Sequence, residues 1–349
     1  MRVGVLTGGG DCPGLNPAIR GAVIRGLSYG WEMVGFEEGW RGWLEGMQIP
    51  LTLDVVDDII RKGGTILGSS RTNPYKAADT TQKALDQFEA LGIDALIAIG
   101  GDDTLGVANK LFKAGKKTVG VPKTMDNDLS ETDYTFGFDS AVAVCTENID
   151  RLHDTALSHR RCIVVEVMGR AAGWVALYAG IAGNADWILI PEKQPTEADL
   201  KQMIDHLLAQ RERGRKHNIV VVSEGVSLPH WDVQDSKVDA FGHAILKERG
   251  IASALEDYIT KATKDRGKPI ETKSVTFGHI VRGGSPSVFD RILGTRVGVK
   301  AAEMVHDGEF GKMAALHGLD VVAVDLDAAV GVNKQVPASW LEMASLFFK

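Results

Sequence analysis

The stretch from Asp94 to Asp128 limits the fold of this chain more than any other. An apolar run, Ala95 to Ile99, ends at Gly100-Gly101-Asp102-Asp103. A helical pattern follows at Leu105, Ala108, Leu111 and Phe112, and a second apolar run stops at Pro122-Lys123, just before Thr124-Met125-Asp126-Asn127-Asp128. The order is strand, acidic loop, helix, strand, basic and acidic loop. A right-handed crossover puts both loops at the carboxyl edge of a parallel sheet, where α/β sheets hold ligands. Four carboxylates and a lysine are therefore expected to converge on one crevice.

The rest of the chain repeats this alternation. Met1 to Thr7 reads as a buried strand, turned by Gly8-Gly9-Gly10-Asp11-Cys12-Pro13-Gly14 into a helix carrying Ile19, Val23 and Leu27. Such a turn offers backbone amides to an anion. It is neither a dinucleotide fingerprint, which needs glycine where Pro13 stands, nor a Walker loop, which needs lysine where Leu15 stands. Further strands are expected at Met33–Phe36, Cys162–Val167, Trp187–Ile190, Ile219–Ser223, Ser274–Phe277 and Val321–Val324. Helices are expected around Val55–Ile60, over Ala141–Leu157, 196–212 and Asp290–Val305, and 226–241 reads as loop. Two α/β lobes, each a sheet layered between helices, follow.

Composition narrows the function classes. A net charge of −7 over 349 residues argues against a nucleic-acid surface. No apolar stretch approaches the ~20 residues that span a bilayer. The three cysteines, Cys12, Cys145 and Cys162, have neither disulfide-framework nor zinc spacing. A cytoplasmic protein without nucleic-acid or membrane partners is expected.

Charge gathered at a sheet edge suits phosphoryl transfer, which needs cations, an oriented hydroxyl and backbone donors. Oxygen ligands beside phosphate imply Mg²⁺. Asp102 is assigned to the metal, Lys123 and Arg71 to phosphate charge, Gly9 to backbone donation and Asp126 to the general base. If the segment stays extended, Asp126 and Asp128 point to one side; the competing reading is a turn built by Asp-Asn-Asp. Arg161, Arg170 and Arg282, with His279, form a further basic group in the second half, although any one arginine could equally be a surface ion pair.

These motifs, together with Val165-Glu166-Val167-Met168-Gly169-Arg170 and Gly278-His279-Ile280-Val281-Arg282-Gly283-Gly284, resemble the phosphofructokinase family over nearly the whole chain. The resemblance implies two three-layer α/β lobes with the active site in the cleft between them. The donor lobe would comprise 1–137 plus about 281–331, and the fructose 6-phosphate lobe 138–280 plus about 332–349. It implies Mg²⁺-dependent transfer to the 1-hydroxyl of fructose 6-phosphate. Asp126 is similar to the general base and Asp102 to the metal-side carboxylate. Thr124, Asp128 and Arg170 resemble residues around the transferred group, and Met168, Gly169, Glu224, His279 and Arg282 resemble sugar-phosphate contacts. Arg161 resembles an arginine lent by a neighbouring subunit, and Lys273 stands where the family commonly lends a second one. A homodimer or homotetramer is implied.

Members that use ATP typically carry glycine where Asp103 stands and often glycine where Lys123 stands. Asp103 would put a carboxylate where a nucleotide's α-phosphate lies, while Lys123 could pair with a short donor; exclusion plus attraction builds specificity. The pair resembles the pyrophosphate-dependent branch. An ATP-dependent phosphofructokinase is the first alternative, and a non-catalytic sugar-phosphate sensor or regulatory subunit a further one. A related NAD or lipid kinase lacks the later motifs, and a dinucleotide oxidoreductase fits least. The effector site of bacterial ATP enzymes looks degraded: His153 replaces an arginine, and Arg20 and Arg25 are five apart instead of four. Weak or absent control by nucleoside diphosphate or phosphoenolpyruvate in a rate assay is expected.

Overall fold

The structure is a computed structural model, and it describes residues 1–229, Phe241 and 250–348. Residues 230–240 of the stretch read as loop lie outside the described residues. Strand β1 (Arg2–Thr7) leads to α1 (Leu15–Ser28), β2 (Glu32–Phe36), α2 (Trp40–Glu45), β3 (Gln48–Pro50) and α3 (Leu53–Val56). Next come α4 (Ala78–Ala90), β4 (Ala95–Gly100), α5 (Asp102–Lys113) and β5 (Thr118–Pro122). A second run holds α6 (Phe138–His159), β6 (Cys162–Val167), α7 (Trp174–Ala182), β7 (Trp187–Leu189), α8 (Glu197–Glu212), β8 (Asn218–Ser223), α9 (Ile251–Asp265) and β9 (Thr272–Thr276). The order closes with α10 (Val288–Asp307), β10 (Lys312–His317), β11 (Asp320–Asp325), α11 (Leu326–Ala329) and α12 (Ala338–Ser345).

Chain contacts divide the described residues into two units: 1–141, 241 and 282–333, and 142–229, 250–281 and 334–348. The first contains a sheet in the order β11-β10-β5-β4-β1-β2-β3, parallel from β10 to β2 and antiparallel at both edges. Its central strands β4 and β5 are buried at every residue, so they read as unbroken apolar runs rather than alternating ones. Since β1 lies beside both β2 and β4, the chain reverses direction across the sheet there, and the loops after β1 and β4 flank the switch point. Phe36, Trp43 and Phe88 brace the core edge to face, with centroids 4.8 and 4.7 Å apart, and Trp43 Nε1 donates to the Ala84 carbonyl at 3.0 Å. Such pairs each add about 0.5–1.5 kcal/mol beyond burial.

The second unit holds a wholly parallel sheet, β7-β8-β6-β9. Leu200, Met203, Ile204 and Leu207 of α8 and Leu255 and Ile259 of α9 pack on its Val164, Val220 and Val222. Helix α8 starts at a capping box in which Thr196 and Asp199 satisfy each other's amides.

One expected element is shorter than its pattern. The helix sought around Val55–Ile60 is the single turn α3, capped by Thr52. Only Val56 and Ile59 of that stretch are fully buried, while Val55 faces water. Val56 lies in that turn and Ile59 in the chain just after it.

Candidate active site

The loops at the carboxyl edge of the first sheet are tied by their backbones. Gly8 N–H donates to the Ile99 carbonyl at 2.9 Å and Lys123 N–H to the Gly100 carbonyl at 2.9 Å. A Cβ on Gly101 would lie 3.4 Å from the Lys123 carbonyl, so the start of α5 abuts that residue. The loops after β1, β4 and β5 thus lie together at one edge of the sheet, as the order of elements led one to expect.

Gly9 has φ +78°, and its N–H donates to the Ser70 carbonyl at 3.1 Å while its own carbonyl accepts from Ser69 Oγ at 2.5 Å. This corrects the assignment of Gly9 as an amide donor to phosphate, because that N–H already has a protein acceptor. What the position supplies is room: a Cβ would sit 3.6 Å from Lys123 Nζ. The same two bonds tether the loop bearing Arg71, which is exposed.

Lys123 is buried, and its ammonium donates to the Gly10 carbonyl. Burial is the largest influence and lowers its pKa; the nearby Arg282 acts the same way, whereas Cys12, Asp11 and Asp126 oppose it. Arg282 donates to the Asp11 carbonyl at 2.9 Å. Two cations therefore brace carbonyls of one glycine loop. Beside them, Asp11, Arg61, Lys62 and Arg282 line part of an open cavity of about 580 Å³ in the first unit. Asp11 is a charged neighbour of Lys123 that sequence reasoning left unassigned; its place in the glycine motif was the available signal.

Asp126 and Asp128 do not lie on an extended strand. The chain turns after Thr124, and Asn127 has φ +52°, so the alternation that would align the two carboxylates does not apply. Thr124 Oγ1 accepts from Asp126 N–H at 3.1 Å, and the buried Asn127 accepts from Thr135 N–H at 3.1 Å. The segment turns, held by Thr124 and Thr135, and the turn keeps Asp126 close enough to act on Lys123.

Asp102 and Asp103 occupy the first turn of α5, where the helix dipole favours negative charge. Asp102 Oδ1 accepts from Gly331 N–H at 2.6 Å, and both residues are partly exposed. Among the described residues no group of three or more metal-ligating side chains gathers. Magnesium takes only one or two protein carboxylates and otherwise water and phosphate, so the half-exposed Asp102 fits an ion brought in with a phosphate donor, not a protein cage.

In the second unit, Met168, Gly169, Arg170, Glu224 and His279 all follow the carboxyl ends of parallel strands β6, β8 and β9. Gly169 has φ +137°, and its carbonyl accepts from Ser223 Oγ and from Gly225 N–H at 3.2 Å. Its N–H donates to Glu224 Oε1 at 3.5 Å. Arg170 and His279 are exposed beside this lattice. Glu166 is pushed up by burial and accepts from Ala252 N–H at 3.1 Å, which makes it a cap for α9.

Arg161 and Lys273 lie elsewhere. Arg161 precedes β6 and pairs with Glu271 at 2.6 Å; Lys273 is near the start of β9, 3.7 Å from Glu256. At ~3.3 Å per residue, the length of β6 separates this amino edge from Arg170 by roughly 20 Å. The basic group expected from Arg161, Arg170, Arg282 and His279 is therefore not one cluster. Its members fall on two opposite edges of the second sheet, and Arg282 belongs to the first unit.

Arg20 and Arg25 on α1 turn to different elements: Arg20 to the Asp57 carbonyl at 3.3 Å, Arg25 to Glu303 at 3.1 Å. His153 bonds to His217 at 2.9 Å and to the Gly183 carbonyl at 2.7 Å.

The family model described as Phosphofructokinase matches residues 2–305. The chain belongs to the phosphofructokinase family. A curated relative from Dictyoglomus thermophilum, named Pyrophosphate--fructose 6-phosphate 1-phosphotransferase, is 52% identical over 351 residues, 100% of this chain and 99% of its own. Another, from Streptomyces coelicolor (strain ATCC BAA-471 / A3(2) / M145) and named ATP-dependent 6-phosphofructokinase 2, is 47% identical with 100% of both chains covered. Among solved structures, the pyrophosphate-dependent phosphofructokinase of Nitrosospira multiformis matches with TM-score 0.82 and 20% identity, over 97% of this chain and 86% of that one. Within the phosphofructokinase family, then, full-length similarity reaches members named for either donor.

Proposed function

We propose that this phosphofructokinase transfers a phosphoryl group reversibly from pyrophosphate to the 1-hydroxyl of fructose 6-phosphate, giving fructose 1,6-bisphosphate and phosphate. The observation that carries the donor assignment is local: a carboxylate, Asp103, stands in the first turn of α5, and Gly101, just before that turn, abuts the backbone of the buried Lys123. The name of the 52% identical relative supports the same reading.

Each residue has a role in it. Lys123 and Arg71 balance the donor's charge, and Gly9 keeps the space over the ammonium open. Asp126 accepts the proton of the sugar's 1-hydroxyl as that oxygen attacks phosphorus, with Thr124 holding the Asp126 amide. Asp128 and Arg170 attend the transferred group; Met168, Gly169, Glu224, His279 and Arg282 bind the sugar phosphate. Mg²⁺ held by Asp102 and the donor would neutralise phosphate charge. Arg161 and Lys273, at the far edge of their sheet, serve a neighbouring subunit in a homodimer or homotetramer. A cytoplasmic location fits a soluble sugar phosphate as substrate.

The test measures Mg²⁺-dependent formation of fructose 1,6-bisphosphate with pyrophosphate and ATP in parallel, for wild type and Asp103→Gly. Wild type is expected to use pyrophosphate, and the variant to gain ATP use by about tenfold or more, as ~1.4 kcal/mol of relieved repulsion gives. Wild-type activity with ATP alone would overturn the donor; activity with neither would favour the sensor.

A further inference from the structure

We infer that Asp290 is a positioning residue for phosphoryl transfer: its buried carboxylate holds the segment 135–140, and that segment in turn fixes Lys123 and the turn bearing Asp126. The inference rests on the activity proposed above only for its kinetic readout.

Asp290 is fully buried in the first turn of α10. Its Oδ2 accepts from the Ser140 N–H at 2.8 Å and from the Ser140 hydroxyl at 2.5 Å, in the first turn of α6. Ser140 Oγ in turn accepts from Ser287 N–H at 2.9 Å, and Ser287 Oγ donates to Asp139 at 2.5 Å. The two helix starts are thus cross-linked. Ser287-x-x-Asp290 has the spacing of a local capping box, in which the carboxylate would reach back to the Ser287 amide. Ser140 takes that amide instead, which releases Asp290 for a long-range bond.

The segment so pinned touches three parts of the site. Thr135 Oγ1 donates to the Thr124 carbonyl at 2.6 Å, and Thr135 N–H to Asn127 Oδ1 at 3.1 Å. Phe136 forms a β-bridge with Lys123. The Phe136 carbonyl accepts from Cys12 Sγ at 3.6 Å, and its ring lies against Gly14, so the glycine loop is braced as well.

Burying a carboxylate is expensive, and an apolar residue would avoid that penalty. The groups acting on it are few. Burial raises its pKa to about 6; the hydroxyl and amide of Ser140 and the amide of Gly137 favour the charged form, and Asp139 opposes it. Cys12, on the facing loop, is the other titratable neighbour, itself pushed up to about 12. Both helix N-termini favour the charge, and ionised acceptors bond more strongly. The link is therefore firmest above pH 6.

Asp290→Asn keeps the size and removes the charge. With pyrophosphate, its kcat is expected to fall by about tenfold to a hundredfold, the range for a small misplacement of reacting groups. Asp290 is expected to add to the wild-type profile a limb rising near pH 6, over and above the titration of the substrates' own phosphates, and the variant should lack that added part. Amide hydrogen exchange should quicken over 123–137 and stay unchanged in the strands of the second unit. Ser140→Ala, which removes one of the two bonds to Asp290 and the acceptor of the Ser287 amide but keeps the Asp290 charge, should lower kcat and quicken local exchange in the same direction, and it carries the test if the first variant does not fold. Wild-type kcat, profile and exchange in both variants would overturn the inference. So would exchange raised evenly across the first unit, which would mark a purely structural role. If wild type is inactive with pyrophosphate, the proposed function fails, and local exchange still decides Asp290.

Discussion

Lys123 is a buried lysine of the first unit. Its surroundings lower its pKa, mainly by burial, although Asp11 and Asp126 pull the other way. The sign follows directly: a lysine whose folded pKa lies below 10.5 destabilises the fold while protonated, and stability rises as pH climbs through the folded value. An anionic donor reverses this by stabilising the ammonium. Pyrophosphate binding should therefore take up a proton at Lys123 and weaken by up to about tenfold per pH unit above the lowered pKa. Calorimetric affinities in Mg²⁺ from pH 6 to 10, for wild type against Lys123→Met, check it. The comparison cancels the titration of the donor itself. Equal slopes in both proteins would remove Lys123 from donor binding.

At the scale of elements, the loop between β6 and α7 is the sharpest case of geometry dictating residue type. Gly169 combines φ +137° with a space in which a Cβ would meet the Ala172 carbonyl and Ser223 Oγ at 2.7 Å. Gly267 also has positive φ, at +71°, but has nothing within 4 Å. Gly169→Ala should lower the melting temperature and activity markedly, by strain of ~1–3 kcal/mol plus displaced backbone. Gly267→Ala, measured alongside by calorimetry and assay, should show the smaller strain alone; equal losses would refute the argument from space. The same contrast explains what the sequence discloses. Strands β4, β5 and β6 were legible because internal parallel strands are almost wholly apolar, with Glu166 the one charged residue among them. Helix α4 was not singled out, since only Ala84, Gln87 and Phe88 are buried on an otherwise polar segment. β10 escaped notice although four of its residues are buried. Asp102, Asp103 and Lys123 could be assigned to one edge from the order of elements. The turn at Asn127 could not be chosen over an extended strand, because it depends on Thr135, eight residues away. The link from Asp290 to Ser140 spans 150 residues, beyond any local pattern.

For the whole molecule, the distribution of charge over the second sheet carries the argument. Parallel strands present different residues at their two ends: Arg170, Glu224 and His279 at one, Arg161 and Lys273 at the other. A site that uses all five cannot be built from a single copy of that sheet, whereas an isologous pair of subunits can exchange them. In the isolated chain Arg161 pairs with Glu271, a partner it would give up or share with a phosphate. Mixed variants give a direct test. Asp126→Asn and Arg161→Ala subunits should each be nearly inactive alone. If Arg161 acts across an interface, one of the two sites in a hybrid pair combines an intact Asp126 with the neighbour's intact Arg161. Unfolding the variants together and refolding them at equal ratio should then recover about a quarter of wild-type activity, because half the pairs are hybrid and half their sites complete. If Arg161 serves its own subunit, every hybrid site lacks either Asp126 or Arg161. No mixing ratio would then raise the rate above that of the parents.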